Sequence, residues 1–332
     1  MNEKKITSVI DAINIVKWGS HSLTDLKAHV IGYEKIFPHG TWFRGQEKYS
    51  WPLVASIFRR NEKGNLLYAS NESQLVKHFK LHFAVDHGDL TTTLDWLCLM
   101  QHHRCPTRLL DWSENILVAL YFSVLDDKET NDEPGALYVL NSFKLNYSAG
   151  RNHATRLYAD DFPCWLRAQL AEDTTFDALA HQLKNERPAD LRQFRIWRTK
   201  ELTFGQYLSR SVAFWPRYVH DRMHRQQSVL VIEGGTLAND KSGIPEPSLL
   251  EELNNSSGAY KFLEKFKIPP EKKQTIREEL RAIGIHIGSL FPEMEHQSQY
   301  IRESWTAEID KKRKLGNKRT LHDIYLTKED KP

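Results

Sequence analysis

Trp42-Phe43-Arg44-Gly45-Gln46, and further along Gln101-His102-His103-Arg104-Cys105-Pro106-Thr107-Arg108-Leu109-Leu110-Asp111-Trp112-Ser113-Glu114-Asn115 running on through Leu117-Val118-Ala119-Leu120-Tyr121-Phe122, are the stretches on which the fold turns. With Thr41 ahead of the first, the β-branched and aromatic residues over 41–44 predict a strand, and Gly45 permits a turn or a close backbone approach. A charged side chain inside such a strand points into a cleft or into solvent. In the second stretch Pro106 breaks the preceding pattern and residues 107–112 can run extended. Ser113 is then a helix N-cap whose hydroxyl can take an orphan backbone donor, which starts a helix at Glu114 that reaches about Leu125.

Working outward, Leu75, Val76, Phe79, Leu81 and Phe83 partly follow helical spacing over 72–83, and a second helix is expected over 92–101. Residues 1–20 carry Val9, Ile10, Ile13, Ile15 and Val16 at spacings that suit a short amphipathic helix, with Asp11 and Lys17 outward. Asn131-Asp132-Glu133-Pro134-Gly135 is a turn, 136–140 a strand, and 228–232 a β-rich strand closed by Gly234-Gly235. The mixture of aromatics and arginines over 150–220 reads as mostly helical. Residues 236–258, rich in Ser, Asn, Gly and Pro, read as a loop, 260–268 as a strand, and 270–283 as a helix opened by Pro270 and ended by Gly284. Beyond Trp305 the chain becomes a basic polar tail, with Lys311-Lys312-Arg313-Lys314 and Lys318-Arg319.

The composition sets limits. With 332 residues, 40% of them apolar, the chain can bury a core and is neither disordered nor collagen-like. Lys plus Arg total 46 against 43 acids, so a net charge of +3 does not by itself argue for nucleic acid. Cys98, Cys105 and Cys164 form an odd set without CxxC spacing, which suits reduced thiols rather than a disulfide framework. The polar start lacks the apolar run of a signal peptide, and no stretch approaches the roughly 20 apolar residues of a membrane span. A cytoplasmic protein is expected.

Arg44 is the first candidate for chemistry. A planar guanidinium beside Gly45 and Gln46 can fork two donors onto a phosphate or carboxylate. The alternative is a structural ion pair with an acid such as Asp111. Thr107, Arg108 and Asp111 lie on an extended stretch leading into a capped helix, whose N-terminus suits an anion. Trp112 and Trp42 can stack on a base or belong to the core. His102, His103 and Cys105 cluster, but no fourth ligand stands at a recognisable spacing, so no metal is expected; one histidine can line a cleft as a proton shuttle. Nothing in the sequence activates Cys105 as a thiolate. The basic tail reads as a solvated helix or as a contact for nucleic acid.

The two opening stretches are similar to the two hallmark blocks of the FRG domain. Trp51-Pro52-Leu53, Ser56-Ile57-Phe58-Arg59, Arg222 with Gln226, Gly284-Ile285 and Leu290-Phe291-Pro292 extend the resemblance over about 22–305, leaving 1–21 as a helical extension and 306–332 as the tail. Arg104, Cys105 and Ser228 depart from it, Arg104 and Ser228 where a glycine is usual. More distantly, the layout resembles the ADP-ribosyltransferase fold. That resemblance implies an α+β fold with a split β-sheet core around a cleft, surrounded by helices. It also implies an enzyme consuming NAD, an ADP-ribosyltransferase or NAD glycohydrolase acting as a bacterial toxin or defence effector on a protein or nucleic-acid target. Arg44 would hold the NAD phosphates or ribose, with Gly45, Gln46, Arg108 and Trp112 around the nucleotide, Thr107 orienting the nicotinamide ribose and His102 shuttling protons. Such transferases place a glutamate early on a late strand to oppose the oxocarbenium charge. Gln226 and Ser228 stand there instead, leaving Glu233 or Glu201 to supply the acid, or leaving a non-catalytic module that binds a nucleotide or nucleic acid.

Overall fold

The computed structural model describes residues 4–22, 40–83, 90, 92–125, 132–149, 157–172, 209–234, 250–256 and 261–316. Its centre is an antiparallel six-stranded sheet in the order β4-β5-β2-β1-β3-β6. The strands are β1 (Thr41–Gln46), β2 (Leu109–Ser113), β3 (Gly135–Asn141), β4 (Val212–Phe214), β5 (Ser228–Ile232) and β6 (Leu263–Ile268). Helices α1 (Val9–Ser22), α2 (Glu72–Phe83), α3 (Thr93–His102), α4 (Ile116–Ser123), α5 (Ser142–Ser148) and α6 (Phe162–Gln169) come first in the chain. They are followed by α7 (Asp221–Arg225), α8 (Leu250–Ser256), α9 (Pro270–Ala282), α10 (Ile287–Leu290) and α11 (Met294–Gly316). The architecture is α+β.

One hydrogen-bonded sheet runs through all six strands, yet its centre is thin: β1 pairs with β3 over six registers, but with β2 only at Phe43↔Ser113. On the other side β2 pairs with β5 along its full length, from Leu109↔Ile232 to Ser113↔Ser228. The halves β4-β5-β2 and β1-β3-β6 therefore part at the middle. Apolar side chains fill both faces. Trp42, Leu110, Trp112, Tyr138 and Val231 share one cluster, while Phe43, Leu137, Ala119 and Leu120 lie in another with α1 and α9.

Both sheet edges are covered by a buried asparagine. On the β4 edge, Asn146 of α5 donates from Nδ2 to the Ala213 carbonyl at 2.9 Å and accepts the Ala213 N–H at 2.8 Å. On the β6 edge, Asn254 of α8 does the same for Leu263, and accepts from Phe262 N at 2.8 Å. A carboxamide carries one donor and one acceptor in amide geometry, so it can satisfy backbone groups that an edge would leave open.

Local structure corrects several expectations. Helix α4 starts at Ile116 because Asn115, not Ser113, caps it, its Oδ1 accepting from Leu117 N. Ser113 instead accepts from Asn115 N and donates to the Gln226 carbonyl. Glu114 takes the indole N–H of Trp215 at 3.1 Å. Helix α1 buries Val9 and Ala12 but leaves Ile10 69% exposed. Within 150–220, α6 is helical but Val212–Phe214 is a strand, held by β5; residues 173–208, with Phe194, Trp197 and Glu201, lie outside the described residues. The stretch read as a loop over 236–258 contains α8, while 235–249 lie outside. Helix α11 runs unbroken through Trp305 to Gly316. The glycine reading at Arg104 has a physical counterpart, since its φ of 60° is the left-handed conformation glycine adopts most easily.

Candidate functional site

Where β1 and β2 part, a cleft of about 230 Å³ opens. Arg44 enters it from β1, Asp111 from β2, Gln101 and His102 from the end of α3, and His220, Arg222 and Gln226 from α7 and its flanks. Helix α4 closes one side with Val118, Ala119 and Phe122.

Arg44 is held by its strand. Gly45 beside it is required by packing, since a Cβ there would sit 1.9 Å from the Ala119 carbonyl oxygen and 2.6 Å from Ser123 Oγ. Helix α4 thus lies directly against the β1 backbone, a contact that requires the glycine, which also lines the cleft. Arg44 is half-buried and donates from Nη1 to the main-chain carbonyl of Asp111 at 2.5 Å. Its buried Nε has no hydrogen-bond partner. No ion pair forms with the Asp111 carboxylate, and Arg44 has no salt bridge among the described residues. Burial lowers its pKa from the ordinary guanidinium value, against the charge of Asp111.

Asp111 has another partner. Gln101 Nε2 donates to its Oδ2 at 2.6 Å, and Gln101 Oε1 accepts from Thr107 Oγ1 at 2.5 Å. Thr107 is fully buried and does not line the cleft; its Oγ1 also accepts from Leu109 N. It therefore reaches the cleft only through Gln101, as a residue that orients the Asp111 carboxylate.

Arg108, Gln46 and Glu233 also lie off the cleft lining. Arg108 is buried and bidentate on Glu72, with Nε to Oε1 at 2.9 Å and Nη2 on Oε2. Gln46 is buried and donates to the Pro52 carbonyl at 3.4 Å. Glu233 is fully buried, accepts Ala55 N at 3.1 Å on one oxygen, and has no hydrogen-bond partner on the other. Burial pushes its carboxyl up to about 8, so it is mostly protonated at neutral pH.

The imidazoles of His102 and His220 lie with ring centroids 3.7 Å apart. His220 Nδ1 accepts from Met223 N at 3.4 Å, and His102 Nδ1 is buried without a partner. Burial lowers both, followed by the charge of His103 for His102 and of His102 for His220, which falls to about 4. Both are neutral at pH 7. Trp112 borders the cleft but is 3% exposed and belongs to the core, and Trp42 is wholly buried, edge-on to Trp215 at 4.8 Å, so neither indole lies open for stacking. Gln226 offers its main-chain carbonyl to Ser113 Oγ and donates from Nε2 to the Leu290 carbonyl at 3.3 Å. Burial raises the Cys105 thiol, which keeps it from acting as a thiolate. Among the described residues no three His, Cys, Asp or Glu side chains gather as a metal-holding group.

The sequence reading overlooked His220 and Gln101 and gave Arg222 no role. No local signal marks His220, because its place in the cleft depends on the β4-to-β5 connection folding back over α3.

The FRG domain family model matches residues 39–132, a span from the residues before β1 to the turn before β3. No curated protein sequence and no solved structure matches the chain. The match includes Arg44, Gly45, Gln101, His102 and Asp111, whereas His220, Arg222 and Gln226 come from beyond it. Among the described residues no helix is long and apolar enough to cross a membrane.

Proposed function

Residues 39–132 match the FRG domain family model, and from that premise we propose that the cleft at the β1/β2 parting binds a phosphate-bearing nucleotide, with NAD as the ligand the site suits. The observation that carries the reading is Arg44: a half-buried guanidinium with an unpartnered Nε and no ion pair among the described residues. A buried cation without an acid is costly, and an anionic ligand offsets that cost. The cleft, about 230 Å³, is smaller than the ~300–1,000 Å³ of pockets that enclose drug-sized ligands. Part of a dinucleotide fits inside, with the remainder over the rim. The parting of the sheet is compatible with the split core of an ADP-ribosyltransferase-like fold, and that likeness is part of the proposal.

Catalysis is a second reading, favoured by Asp111. It is the acid on the cleft lining, exposed and oriented by the Thr107–Gln101 chain. Where a glutamate would serve, Gln226 carries no charge, and Glu233 is buried and protonated behind the sheet. In an NAD glycohydrolase the bond between ribose and nicotinamide breaks, nicotinamide leaves, and water adds to the ribose carbon while Asp111 opposes the developing positive charge. Calorimetry with NAD and ADP-ribose, paired with a nicotinamide-release assay, tests both readings. Saturable binding that Arg44→Gln weakens about ten- to a hundredfold supports the site; release that Asp111→Asn abolishes supports catalysis. A folded protein that binds neither ligand would refute the proposal.

A further inference from the structure

Resting on the reading that the cleft holds a phosphate-bearing nucleotide, we infer that it is built for a diphosphate, with Arg222 as the second cation beside Arg44. Arg222 comes from α7, outside the matched segment, and lines the same cleft. Its guanidinium carbon lies 4.5 Å from the centroid of the Phe291 ring. Stacking on a ring fixes the plane of the cation and leaves its N–H edge free for acceptors. Among the described residues Arg222 forms no ion pair and its side chain makes no hydrogen bond, although burial lowers its pKa and only the more distant charges of Glu293 and Asp111 act against this.

Two guanidiniums that form no ion pair among the described residues line one small cleft, and burial disfavours the charge of each. Asp111 offsets part of this for both arginines and Glu293 for Arg222, yet burial remains the largest influence on each. His102 and His220 are neutral, Gln101 and Gln226 are amides, and Asp111 brings one negative charge already engaged by Gln101. A monophosphate can satisfy one fork. A diphosphate presents oxygens on two adjacent phosphorus atoms and enough charge for both, so the ligand class is a nucleoside diphosphate or a dinucleotide joined through one.

The test is calorimetry on the full chain with AMP and ADP at one ionic strength, repeated with Arg222→Gln and Phe291→Leu. ADP is expected to bind at least about tenfold more tightly than AMP, the size of one lost charge-assisted hydrogen bond. Arg222→Gln should bring the ADP affinity down to near that of AMP. Phe291→Leu, which removes the ring but no charge, should shrink the ADP preference. Equal affinities in the unaltered protein, or a preference that survives both substitutions, would overturn the diphosphate assignment and leave the nucleotide site standing. Binding of neither nucleotide sinks the site and the assignment together. Thermal melts identify a variant that has not folded, and the AMP-to-ADP ratio of the unaltered protein still decides.

Discussion

Arg108 and Arg44 flank the same pair of strands and differ in what surrounds them. Arg108 is buried with its guanidinium clamped by both oxygens of Glu72 and its Nη1 near the Glu233 carbonyl, over the Phe58 ring. Arg44 reaches a main-chain carbonyl across the β1/β2 parting and leaves Nε unpartnered. Both stand in the matched segment, and both are candidate nucleotide contacts in the sequence, Arg44 before Arg108. A charge held by a carboxylate within the protein contributes to the fold, and the proposed ligand would supply for Arg44 the anion that Glu72 supplies for Arg108.

The sharpest way to break this contrast is to remove the internal partner. Glu72→Ala should destabilise the protein by about 3–5 kcal/mol, because it strands the buried Arg108 charge; urea unfolding measures it, and a loss below about 1 kcal/mol would place Arg108 in the same class as Arg44. Next is Gly45→Ala, where the added methyl meets the Ala119 carbonyl. Forcing α4 from β1 should cost about 1–3 kcal/mol and weaken ligand binding as well, since Arg44 moves with its strand.

A smaller effect distinguishes Glu233 from the cleft by pH. Its folded pKa of about 8 lies above the ordinary 4.5. Between those values the native state keeps a proton that the unfolded chain has released, so stability falls as pH rises across that window. Glu233→Gln should flatten that slope, as urea midpoints at about pH 5 and about pH 8 would show; an unchanged slope would mean another group carries it. The smallest effect on stability belongs to Arg44→Gln. Removing an unpaired half-buried charge should leave the melting temperature unchanged or raised, while nucleotide affinity drops about ten- to a hundredfold.

Much of the scaffold was legible in the residues. Ser228–Ile232, Glu72–Phe83 and the helix from Pro270 lie where β-branched runs, apolar spacing and an N-terminal proline put them. Val212–Phe214 was not, because three residues carry no period and are strand only by pairing with Leu230–Ile232. Ser113 looked like a cap on local grounds, but its hydroxyl found the Gln226 carbonyl, a long-range partner. Arg44, Gly45, His102 and Gln226, singled out from separate segments of the sequence, all line one cleft, and the close backbone approach that Gly45 permits is made by α4.

The sequence by itself determined the local elements and the residue types able to hold an anion, because propensity, capping and side-chain chemistry act over a few residues. Only the tertiary structure decided which arginine is paired with a carboxylate. Glu72 reaches Arg108, while Arg44 forms no ion pair among the described residues and donates to a main-chain carbonyl, and that follows from how distant segments pack around the parted sheet.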